Sequence, residues 1–135
     1  MLVDTGPLIA LLDDREPTHG LCIAAVASAR SRLATTWPVL TEALHMMGRR
    51  VGIDGQTAVL DLVTRGTIEI VPVGGDDVPS IAARMRRYAD APMDLADATL
   101  VEAAERTGDV EILTLDGHFH AYRLSRGRHL RVLPS

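Results

Sequence analysis

Short apolar runs rich in Val, Ile and Leu alternate along this chain with longer stretches whose apolar residues recur at helical spacing. Such alternation points to a parallel sheet covered by helices on both faces, because neighbouring parallel strands need a crossover and a helix is the usual one. The runs predict strands at Leu2–Asp4, Leu33–Thr36, Ile68–Pro72, Glu111–Leu115 and Leu130–Leu133. Between them, Pro7–Asp13, Thr18–Ser31, Pro38–Arg50, Asp54–Thr64, Asp77–Tyr88 and Asp94–Thr107 read as helices. Gly52 and Gly55 are taken as breakers after Arg50, and Gly66, Gly74–Gly75 and Gly108 as further stops. The expected class is α/β, with a central, mostly parallel five-stranded sheet flanked by helices in the order β, α, β, α, β, α, β, α, β.

A length of 135 residues suits one domain spanning 1–135. A hydrophobic share of 47% against 24% charged residues excludes a disordered chain, and no internal repeat is visible. The opening MLVDTGPLIALLDD lacks a basic leader and is interrupted by Asp4, Asp13 and Asp14, which argues against a signal peptide. No apolar run reaches the ~18 residues that cross a bilayer, and the lone Cys22 has no partner for an internal disulfide. A soluble protein of the reducing cytoplasm, without a membrane partner, is expected.

All 14 basic residues are Arg, set against 18 acids for a net charge of −4, which is not the balance of a sequence-independent nucleic-acid binder. Distribution matters more than the total. Arg30/Arg32, Arg49/Arg50, Arg84/Arg86/Arg87 and Arg123/Arg126/Arg128/Arg131 are clusters that could each face phosphate or simply solvent.

The acids carry the chemistry. Asp4 ends the first predicted strand and Asp116 follows the fourth, so both fall at the carboxyl edge of the sheet, where ligands of open α/β folds bind. Glu42 follows the second strand on an apolar-rich stretch and needs a partner there. Asp94 and Asp97 open a helix at i,i+3 spacing and share one side of its first turn. Carboxylates crowded in this way repel unless a cation neutralises them, and oxygen ligands suit Mg²⁺ or Mn²⁺. Each acid also has a plainer reading: Asp94 as a helix cap, Asp97 as a dipole acid, Asp116 as an Asp-Gly turn.

Together the segments Leu2-Val3-Asp4-Thr5-Gly6-Pro7-Leu8, Thr41-Glu42-Ala43, Asp94-Leu95-Ala96-Asp97-Ala98, Leu113-Thr114-Leu115-Asp116-Gly117-His118-Phe119 and Leu130-Arg131-Val132-Leu133-Pro134 resemble the PIN-domain ribonucleases. Their order and spacing are closest to the VapC-type toxins of toxin–antitoxin pairs. The resemblance implies metal-binding acids at Asp4, Glu42, Asp97 and Asp116, with Asp94 auxiliary and Thr114 orienting a carboxylate or water. It further implies a Mg²⁺- or Mn²⁺-dependent endoribonuclease that cleaves tRNA or another RNA. A VapB-type antitoxin reaching into the acidic site and a toxin homodimer belong to the same implication.

Other readings are weaker or compete. An aspartyl-phosphate mechanism at Asp4 lacks the second Asp two residues on, and Glu42-x-x-His45 is one half of a di-iron motif that needs two. His118 and His120 read as surface loop residues and Cys22 as core. A housekeeping PIN nuclease of RNA processing, or a metal-binding, receiver-like module without catalysis, remain the alternatives.

Overall fold

The computed structural model describes residues 1–135 as five strands in the order β3-β2-β1-β4-β5, every neighbouring pair parallel. The strands are β1 (Leu2–Val3), β2 (Leu33–Thr35), β3 (Ile68–Ile70), β4 (Glu111–Leu113) and β5 (Arg131–Leu133). Helix pairs fill the first three crossovers: α1 (Thr5–Leu12) with α2 (His19–Ala27), α3 (Trp37–Arg50) with α4 (Ile53–Thr64), and α5 (Val78–Arg87) with α6 (Leu95–Thr107). No helix is long and apolar enough to cross a membrane.

The last crossover departs from the expected alternation. Between β4 and β5 the chain makes only 3₁₀ turns at Gly117–His120 and Ser125–Gly127, with positive φ at Arg126 and Gly127. A left-handed residue ends any helix there. Instead Phe119 and Tyr122 plug into the core, both fully buried and edge-to-face at 5.1 Å, and Tyr88 meets Tyr122 at 5.0 Å. This aromatic cluster takes the place of a helix. The second helix also stops at Ala27, earlier than its sequence indicates. Ser31 and the carbonyl of Arg32 are drawn instead to the Met1 ammonium, which also pairs with Asp109.

One apolar core joins both faces of the sheet. Leu2 and Val3 of the central strand and Ile112 and Leu113 beside them are at most 1% exposed, as expected for strands covered on both sides. Helix α6 is buried almost all round, through Ala96, Ala98, Leu100, Val101, Ala103 and Ala104, and its small residues let it lie close against β1 and α3. Helix α3 buries Val39, Leu40, Ala43 and Met47, one stripe at helical spacing.

The two glycines after Arg50 do different things. Gly52 has φ of 88° and turns the chain between α3 and α4. Gly55 is no breaker. It lies inside α4, where a Cβ would come within 2.9 Å of the Val51 side chain and 3.0 Å of the Met47 carbonyl, so its bare backbone permits the α3–α4 contact.

Candidate active site

Strand register brings the first two acids together. Val3 lies beside Leu113, and the Asp4 N–H donates to the Leu113 carbonyl at 2.9 Å, so Asp4 and Thr114 leave the sheet side by side. The buried Thr114 hydroxyl donates to Asp4 Oδ2 at 2.7 Å and accepts the Asp116 N–H at 3.0 Å. Asp4 is also the cap of α1, its Oδ1 accepting from the Thr5 N–H at 2.8 Å. The Thr5 hydroxyl donates to Glu42 Oε2 at 2.9 Å and so draws α3 toward β1. Glu42 itself is exposed, and the partner its carboxylate finds is this hydroxyl of the buried Thr5.

Asp94 and Asp97 cap α6 reciprocally. Asp94 Oδ1 accepts the Asp97 N–H at 2.9 Å, and Asp97 Oδ2 accepts the Asp94 N–H at 3.2 Å. Asp116 makes the Asp-Gly turn, its Oδ1 accepting the His118 N–H and standing 2.9 Å from His118 Nδ1. The plainer roles considered for Asp94 and Asp116 are therefore realised locally. They do not use up either residue, since Asp94 and Asp116 each retain a carboxylate oxygen with no protein donor. Tyr122 supports the approach to α6, its hydroxyl donating to the Pro92 carbonyl at 2.9 Å and to that of Ala91 at 3.3 Å.

The electrostatics reveal which acids share a field. Burial raises the Asp4 carboxyl above its ordinary value, and the charges of Glu42 and Asp116 add to the rise, against the two hydrogen bonds that lower it. Asp97 is pushed up to about 7 by burial first and then by Asp94, Asp4 and Asp116. After burial, the Asp97, Asp116 and Asp94 carboxylates raise the Tyr122 hydroxyl. Asp4, Asp97 and Asp116 thus lie within one another's electrostatic reach, with Asp94 acting on Asp97 and Glu42 on Asp4.

Cations are placed elsewhere. Of the three buried carboxylates, Asp13 is bonded to Arg15, lies 3.7 Å from Arg50 and is held down to about 2, whereas Asp4 and Asp97 have no positive partner. Glu16, Asp61, Glu69, Asp77, Glu102, Glu105 and Glu111 each meet an arginine. Arginines without a carboxylate partner are Arg30, Arg49, Arg86, Arg87, Arg123 and Arg126, so each sequence cluster keeps at least one free guanidinium.

No three of the site's acids are drawn tightly enough to form a ready cage for an ion among themselves. The donor set nevertheless suits a hard divalent cation: all oxygen, mutually repelling, and partly desolvated without a counter-charge. Sequence reasoning passed over Thr5, whose only signal was its place beside Asp4. A groove of about 450 Å³ next to Glu42 and Asp94 is lined also by Trp37, Pro38, Thr41, Leu95 and Ala96.

Comparison with known proteins follows the same lines. The PIN domain family profile matches residues 1–124. The chain is 33% identical to Ribonuclease VapC26 of Mycobacterium tuberculosis, over 99% of its own length and 100% of that protein's. Its fold is similar to the crystal structure of Mycobacterium tuberculosis VapC20, a Sarcin-Ricin loop cleaving toxin. The TM-score is 0.81 at 23% identity, covering 89% of this chain and 92% of that one.

Proposed function

The chain belongs to the PIN-domain family, and from that premise we propose that it is a metal-dependent endoribonuclease, the VapC-type toxin of a toxin–antitoxin pair. The observation that carries the reading is the pair of buried carboxylates, Asp4 and Asp97, held near Asp116 and Asp94 without any cationic side chain. Burying like charges together is costly, and a divalent cation is what removes the cost. The match to Ribonuclease VapC26, 33% identical over essentially the full length of both chains, supports a ribonuclease of the VapC type. Residues 1–135 are read as one PIN domain, since β5 lies beyond the family match yet pairs with β4 along its length.

Asp4, Asp97, Asp116 and Glu42 would hold Mg²⁺ or Mn²⁺, with Asp94 as an auxiliary acid. The bound cation supplies charge neutralisation at the scissile phosphate and activation of water for its hydrolysis. The chain's own residues fix the donors. Thr114 orients Asp4 through its hydroxyl and Asp116 through its backbone, Thr5 orients Glu42, and the α6 cap aligns Asp94 with Asp97. No protein nucleophile is required. Free arginines such as Arg86 and Arg123 would carry the RNA backbone.

The substrate is RNA, with tRNA as the finer reading. A VapB-type antitoxin that places an arginine against the unpaired acids, a homodimer of the toxin and a cytoplasmic setting complete the proposal. The test is cleavage of total cellular RNA with Mg²⁺, Mn²⁺ or EDTA by wild type, Asp4→Asn and Asp97→Asn. Cutting that needs the metal and is lost in both variants supports the reading; equal activity in the variants refutes the site. Growth arrest on expression, relieved by a cognate partner, separates a toxin from a housekeeping nuclease.

A further inference from the structure

The chain holds four aromatic side chains, one Trp, two Tyr and one Phe. Phe119 and Tyr122 are fully buried, and Tyr88 is packed edge-on against Tyr122 with the Arg87 guanidinium 5.2 Å from its ring centre. Trp37 stands apart. It is 57% exposed, on the first residue of α3, and its indole makes no hydrogen bond within the protein. An indole presented to water in this way is unusual unless something covers it.

Its position says what that cover is. Trp37 walls the groove that Glu42 and Asp94 also line, with Leu95, 51% exposed, Pro38 and Ala96 completing an apolar surface. It lies on the β2 side of the acids, directly before the helix turn that carries Glu42. On its other side Trp37 borders a second depression of about 490 Å³ containing Asp76 and the paired Asp77 and Arg106. The groove shared with Glu42 and Asp94 contains no basic residue. A phosphate entering it would meet carboxylates and no cation, whereas a flat, uncharged ring would meet the indole and aliphatic carbon.

We infer that Trp37 is a stacking platform for one unpaired nucleobase next to the scissile phosphate, so that the enzyme requires a single-stranded or splayed-out nucleotide there. The inference rests on the ribonuclease reading of the acids and specifies their substrate. A base paired in a duplex cannot present its face to the indole, and RNA loops and bulges offer bases that can. Stacking tolerates any base, so this contact sets the structural context of cleavage rather than its sequence.

As the only tryptophan, Trp37 reports on itself. In EDTA, a labelled single-stranded oligoribonucleotide of mixed sequence is titrated against wild type, Trp37→Phe and Trp37→Ala, with binding read by anisotropy and by indole emission; a duplex of the same strand is the comparison. With Mn²⁺, cleavage kinetics are measured on the same strand. Expected are saturable quenching by the single strand and not by the duplex. For Trp37→Ala, kcat/KM should fall about ten-fold or more, mainly through KM, with Trp37→Phe within a few-fold of wild type. Unchanged emission at full anisotropy overturns the inference, and so does unchanged kcat/KM in Trp37→Ala while Asp97→Asn is inactive. A Trp37→Ala protein that loses self-association but keeps its RNA affinity also overturns it, showing that a second copy covers the indole. Quenching without Mn²⁺-dependent cleavage by wild type would sink the nuclease reading and leave the stacking platform standing; no quenching beside intact Mn²⁺-dependent cleavage would sink the platform alone.

Discussion

The Thr114 hydroxyl is the only side-chain group that donates to Asp4, at 2.7 Å, and Thr114 comes from a strand end 110 residues further along the chain. Replacing it by valine keeps the shape and removes the donor. A hydrogen bond to a charged group contributes about 1.5–3 kcal/mol. We expect Thr114→Val to lower metal-dependent cleavage by one to two orders of magnitude and the melting temperature by several degrees, and Thr114→Ser to recover most of both. Equal activity of valine and threonine would show that the hydroxyl does not orient Asp4.

Asp97 ties stability to pH with an unusual sign. Its folded-state pKa, pushed up to about 7, lies above the ordinary carboxyl value of 3.8. Between those values the unfolded chain binds fewer protons than the folded one, so this residue's contribution becomes steadily less favourable as pH rises and is constant above both. In EDTA, the melting temperature of wild type relative to Asp97→Asn should therefore fall from pH 4 to pH 7 and then level. Added Mg²⁺ or Mn²⁺ should raise it more at pH 8 than at pH 5. A pH-independent difference would contradict the assignment.

Tyr122 anchors the segment that leads into α6 through the carbonyls of Ala91 and Pro92. Removing one such hydroxyl costs on the order of 1 kcal/mol, or about 3–5 °C in a domain of this size. Thermal unfolding of Tyr122→Phe should show that drop, and its kcat should fall several-fold with RNA affinity retained. A loss confined to affinity would place the effect elsewhere.

Glycine replacements separate close packing from permissive exposure. Gly55→Ala forces a methyl against Val51 and Met47 and should destabilise by about 1–3 kcal/mol. Gly20 is helical in α2, and a methyl there would meet nothing within 4 Å, so alanine should be tolerated and add up to about 1 kcal/mol of stability. Chemical denaturation of both variants decides the pair.

Periodicity and topology made much of the fold readable in advance. Strand and helix periods differ, and crossover rules leave few arrangements, so β1 to β5 and the six helices fall near their expected places. The convergence of Asp4 with Asp116 followed from their positions after strands that turned out to be neighbours. Three things were not readable. α2 ends at Ala27, and Ser31 and Arg32 beyond it contact Met1, a non-local pairing that local propensity does not register. Gly55 looks like a breaker by composition and acts as a packing residue only because another helix lies against it. Thr5 holds Glu42 across 37 residues of sequence, a contact that exists only once both elements are in place.

The central strand is the first to be made, and one of its neighbours, β4, is nearly the last. During vectorial synthesis Leu2 and Val3 can pair with β2 early, but their contact with Ile112 and Leu113 must wait for most of the chain to emerge. Asp4 acquires Thr114 and Asp116 at the same late moment. A nascent chain that has not yet reached β4 therefore lacks both the hydroxyl that holds Asp4 and the Asp116 carboxylate beside it.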